Sequence, residues 1–128
     1  MISTPENPLS SPEEEISWLE QELRERKKKL GSSAGEKERF NATKEILKEA
    51  GESPDEVISE NYRLKPEEVE KHTHALADES HHKQIDELLS IAGEHGLLNA
   101  LKVVRKLNNP HLTDDFHDRL IAEGYLGK

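Results

Sequence analysis

The chain has 128 residues, 35% charged and 32% hydrophobic, with a formal net charge of −9, no cysteine and five aromatic residues. That apolar content is low for a globular chain of this length. The absence of cysteine excludes disulfides, thiolate zinc sites and a Cys nucleophile, and it leans towards a cytoplasmic location. The acidic charge is spread along both halves, which disfavours binding to a phosphate backbone. No apolar run reaches the roughly 20 residues a transmembrane helix needs, so a soluble protein is expected.

Residues 1–10, "MISTPENPLS", carry two Pro, two Ser and one Asn and read as a disordered tail. The sequence 11–30 predicts a strong helix. Ser11 is placed to cap it, Pro12 suits the first helical position, and Glu13, Glu14 and Glu15 complement the positive end of the helix dipole. The basic run "RERKKK" (24–29) lies at the opposite end. Alternating with Glu residues, this run reads first as a solvated helix end and second as a contact for anionic lipid. Ile16, Leu19, Leu23 and Leu30 follow a heptad seam, with Arg26 at the remaining core position. So narrow a stripe suits pairing with one other helix, either later in this chain or from a second protomer. Ile16, Trp18, Leu19, Leu23 and Leu30 are therefore the expected partner-binding residues, by self-association or with another protein through 11–30.

The Gly/Ser-rich segment 31–36 closes this heptad unit, which spans 11–35. Residues 36–79 predict a set of short helices. The first covers 36–50, with Phe40, Thr43, Leu47 and Ala50 on one side and Ile46 close by. Ser53–Pro54 starts another, running to about Tyr62, and Pro66 starts a third. Residues 80–128 predict the best-defined unit. Ser80 precedes a helix with Ile85, Leu88, Leu89 and Ala92 on one face, and Gly96 breaks it. "LLNALKVVRKL" follows, and Asn109–Pro110 then starts a last helix with Leu112, Phe116, Leu120 and Ile121 inward. The expected fold is all-α: an antiparallel C-terminal helical bundle of three or more helices, preceded by the long heptad helix and the short ones. No alternating β-branched run signals a strand.

Two groups of side chains have metal-ligating chemistry. Asp114, His117 and Asp118 share a helix face, because residues three and four apart are neighbours. With His95 from the helix that starts near Ser80, they form a candidate site for a divalent transition metal. The simpler reading makes the aspartates an acidic first turn. The tract holding His72, His74, His81 and His82 is also His-rich, but its spacing is too loose for a closed tetrahedral site. Solvated histidines at a helix junction fit it better. There is no phosphate loop, no Gly-x-Ser-x-Gly elbow and no His-Glu-x-x-His, so no enzyme is expected.

Residues 81–121 carry a His-x-x-Gln-Ile start (from His81), a Gly-Leu-x-x-Ala-Leu-x-Val turn (from Gly96) and Asn-Pro-His-Leu-x-Asp-Asp-Phe-His-Asp (from Asn109). In these marks the segment resembles a helical domain of unknown function in small uncharacterised bacterial proteins, many of them from reduced-genome lineages. The resemblance covers about a third of the chain. It implies a transferable helical module and an association with membrane-linked secretion or pilus-type systems, and it brings no activity, cofactor or catalytic residue. The expected function is a non-enzymatic helical interaction or adaptor protein. The alternatives are a metal-binding helical protein using the Asp/His face and a membrane-peripheral accessory factor of a secretion apparatus.

Overall fold

A computed structural model describes residues 5–31 and 35–124; the first four residues of the expected tail, residues 32–34 of the Gly/Ser segment and residues 125–128 lie outside them. Six α-helices account for most of the described residues: α1 (Pro12–Leu30), α2 (Glu36–Ala50), α3 (Pro66–Ala77), α4 (His81–His95), α5 (Leu97–Lys106) and α6 (Pro110–Ala122). Among the described residues there is no extended strand, only an isolated parallel bridge between Leu9 and Ile58. No described helix is long and apolar enough to cross a membrane.

Local chemistry sets most helix starts. Ser11 accepts from the Glu14 amide, Ser80 from Lys83 and Asn109 from Leu112, and Pro12, Pro66 and Pro110 occupy first helical positions where a missing N–H costs nothing. Gly31, at a φ of 88°, follows α1, and its amide bonds back to the Lys27 and Lys28 carbonyls.

The buried apolar residues from Leu9 to Leu120 form a single cluster to which every helix contributes. At its centre is α5. Leu97, Leu98, Asn99, Ala100, Leu101, Val103 and Val104 are all buried, which exceeds a one-sided stripe because α1, α3, α4 and α6 all pack on this helix. The long helix α1 pairs with α2, where Arg26 reaches Glu45 (3.4 Å) and Glu49 (2.9 Å). The heptad position that looked polar in a coiled-coil seam is thus an ion-pair position within the chain.

Four expectations are corrected by this packing. Leu19 and Leu23 are buried in the chain's own core, and Ile16 and Trp18 are half-buried, so the seam does not stand free for a second chain. On α2 the buried face is Ala42, Thr43, Ile46, Leu47 and Ala50, and Phe40 is exposed instead. The helix expected over 53–62 is only a 3₁₀ turn at Pro54–Glu56, because the next residues flank Leu9: the Leu9 amide donates to Val57 O (2.8 Å) and Ser59 N donates to Leu9 O (2.7 Å). The same pairing buries Leu9, so residues 9 and 10 are docked and not a free tail.

One buried polar side chain joins three segments. Asn99, fully buried, accepts from the Leu64 amide (3.0 Å) and donates to the carbonyls of Tyr62 (2.9 Å) and His95 (2.8 Å). Removing it leaves the Leu64 N–H without a partner in a dry interior. Asn99→Ala is expected to lower stability by about 2–3 kcal/mol in urea titrations followed by circular dichroism, and a change below about 0.5 kcal/mol would show that solvent replaces the amide.

Candidate functional site

The expected metal face lies on α6, where Asp114 and Asp118 come together with Asp115, while His95 stands apart. Lys44 of α2 places its ammonium 2.6 Å from Asp114 Oδ1 and 2.9 Å from Asp118 Oδ1. The cation between these carboxylates is therefore a lysine. Its hydrogen bond holds the Asp114 carboxyl below the ordinary carboxylate range, and the pair raises Lys44 in turn. His117 is buried beside them. Burial, followed by the nearby Lys44 charge, pushes its pKa below the ordinary histidine value, favouring a neutral core imidazole. His95, at the far end of α4, lies edge-on to His72 with ring centroids 6.0 Å apart and does not join the aspartates.

A different trio converges at the N-terminal ends of α4 and α6. His81 Nε2 is 2.7 Å from Asp115 Oδ2, and His111 Nε2 is 3.5 Å from the same oxygen. The two imidazoles stack, with centroids 5.2 Å apart and an interplanar angle of 28°. His111 and Asp115 are i,i+4 neighbours, so their meeting was readable from the helix. The approach of His81 depends on how α4 packs on α6 and left no local signal.

The second feature sequence reasoning missed is a buried carboxylate. Glu15, expected at the solvated start of α1, is fully buried. Its Oε1 accepts from the Leu98 amide at 2.6 Å, in the first turn of α5. That helix begins at Gly96, which has no side chain to cap it, so a residue 83 positions earlier supplies the acceptor. The Tyr62 hydroxyl lies beside the carboxylate and helps hold its charge, at a geometry short of a well-formed hydrogen bond. Burial nevertheless dominates and raises the Glu15 pKa to about 7. The Tyr62 phenol is itself pushed up by burial and by Glu15. A helix start with glycine where a capping side chain is usual was the available signal: some acceptor had to come from elsewhere.

Surface features differ between the two ends of α1. Leu30 (39% exposed) and Phe40 (37%) are the exposed large hydrophobics among the described residues, and both flank the α1–α2 connection. Residues 24–39 hold seven Lys/Arg against three Glu, and Lys27, Lys28, Gly31 and Arg39 border one shallow hollow there. An open cleft of about 630 Å³ between α2, α5 and α6 is lined by Leu101, Val104, Lys44, Asp114 and His117, among others.

Comparison with protein-family models, with curated proteins and with solved structures found no match. The resemblance noted for residues 81–121 is therefore carried by those residues alone.

Proposed function

We propose that this chain is a non-enzymatic helical interaction protein whose contact surface is the tip of the α1–α2 hairpin, and that its partner is an acidic protein presenting an apolar spot. The observation that carries the reading is the coincidence of exposed Leu30 and Phe40 with a local excess of positive charge, in a chain that is otherwise acidic. Apolar anchors inside a charged rim are the anatomy of a docking site, and the sign of the rim selects the partner. Of the residues expected to bind a partner, Leu30 belongs to this surface, while Leu19 and Leu23 act within the chain. The helices from α4 to α6 then serve as scaffold. A cytoplasmic adaptor fits the absence of cysteine. A non-catalytic role fits a cleft in which Lys44 and Asp114 are already paired with each other.

The test places a photo-crosslinking side chain at position 30 and, as control, at position 60, near the Leu9–Ile58 bridge at the opposite end of α1, roughly 28 Å away along a 19-residue helix. The expected result is an adduct from position 30 alone, to an acidic protein that rebinds when purified. Binding should weaken with salt and fall about tenfold or more in the Leu30→Ser/Phe40→Ser double variant. Equal adducts from both positions, or none from position 30, overturn the proposal. Flotation of the intact chain with phosphatidylserine vesicles, lost in the double variant, also overturns it, and would favour the peripheral membrane role instead.

A further inference from the structure

We propose that His81, His111 and Asp115 form a binding site for a divalent first-row transition ion, zinc in the first instance, which clips the start of α4 to the start of α6. The site is independent of the hairpin tip and differs from the Asp114/His117/Asp118 face expected from the sequence.

Three ligand atoms, two imidazole nitrogens and one carboxylate oxygen, lie within 4.8 Å of one another. Zinc holds histidine nitrogen and carboxylate oxygen at about 2.0–2.2 Å, so adjacent ligands of a tetrahedron stand about 3.3–3.5 Å apart. The separation of His111 Nε2 from Asp115 Oδ2, 3.5 Å, already matches that edge and is long for a hydrogen bond. The separation from His81, 2.7 Å, is a hydrogen bond that must open by about 0.6–0.8 Å to reach that edge. The stacked rings, with centroids 5.2 Å apart, bring both imidazoles to the same carboxylate.

Charge placement separates Asp115 from its neighbours. Asp114 and Asp118 are paired with Lys44, whereas among the described residues the ion-pair partners of Asp115 are the two histidines. Arg119, on the same helix, is engaged by Glu123 at 3.1 Å. His81 and His111 are exposed, and a shallow hollow of about 400 Å³ opens beside His81 and Asp115. A hydrated ion can enter there and keep a water in the fourth position. Two imidazoles and a carboxylate suit zinc, with copper and nickel as stronger or comparable competitors by the usual affinity order.

The test is calorimetric titration of zinc chloride into the full chain at pH 7.5, with imidazole signals followed by NMR. One equivalent is expected to bind, shifting the His81 and His111 rings and no others. His81→Gln and His111→Gln should each weaken binding by about tenfold or more, as should Asp115→Asn. Asp114→Asn and the His72→Gln/His74→Gln pair should leave it unchanged. All three ligand positions are at or near the surface, and circular dichroism of each variant checks that it is folded. Absence of heat at micromolar zinc overturns the proposal, as does binding that persists in the His81→Gln/His111→Gln double variant.

Discussion

Gly96→Ala is expected to unfold the protein or to lower its stability by about 3 kcal/mol or more. Two separate costs meet at this position. The backbone has a φ of 93° and a ψ of 158°, a region that is essentially restricted to glycine and carries about 1–3 kcal/mol of strain for other residues. A Cβ would also overlap the Tyr62 hydroxyl and come to 2.7 Å from Glu15 Oε2. Neither can retreat freely: Glu15 is held by the Leu98 amide, and the Tyr62 backbone by Asn99. Chemical denaturation of Gly96→Ala and of Gly96→Ala/Tyr62→Phe separates the costs. Removing the hydroxyl should recover part of the loss and leave the backbone part. A single variant as stable as the parent would show that α1 and α5 do not meet as described.

Glu15 gives the second large effect, and its sign is set by burial. The folded-state pKa, about 7, lies above the ordinary value of 4.5. The folded protein therefore binds this proton more tightly than the unfolded chain does. The contribution is fully present below pH 4.5 and is lost as pH rises through 7, with an order of magnitude of about 3 kcal/mol. His117 acts in the opposite sense. Its folded pKa is lowered by burial, so its contribution is present above pH 6.5 and falls away as the solution becomes acidic. The raw stability profile mixes the two, and a comparison of variants resolves them. Glu15→Gln keeps an oxygen for the Leu98 amide and removes the titration. Relative to the parent it should gain stability between pH 5 and pH 8. Glu15→Ala leaves that amide without its acceptor and should be about 1–3 kcal/mol less stable than Glu15→Gln at either pH. Parallel pH profiles for the parent and Glu15→Gln would mean that the carboxylate is solvated.

What could be read from the sequence was local. Ser11, Ser80 and Asn109, with Pro12, Pro66 and Pro110, announce helices because a cap needs only its own next three residues. The inward faces of α4 and α6 followed from 3.6-residue spacing, and Leu112, Phe116 and Leu120 are all buried. Phe40 shows the limit of that reasoning. Its spacing fits an inward stripe on α2, yet the helix is turned so that Ala42 and Ile46 face α1 and α6, and the phenyl ring is left outside. Glu15 shows another limit. Three glutamates in a first turn look alike by composition, and only the arrival of α5 distinguishes the third. The Lys44 clamp and the His81–Asp115 contact join residues on different helices, and no periodicity along one helix encodes them.

The long reach between Glu15 and Leu98 also bears on how this protein is made. The two residues are 83 positions apart, so at translation rates of about 5–20 residues per second the first helix waits about 4–17 s for its partner to be synthesised. Throughout that interval α1 has α2 to pair with but no α5, and the side of α1 that meets α5 stays uncovered. Chaperone capture or premature association is concentrated in this window, and slowing synthesis before residue 97 lengthens it.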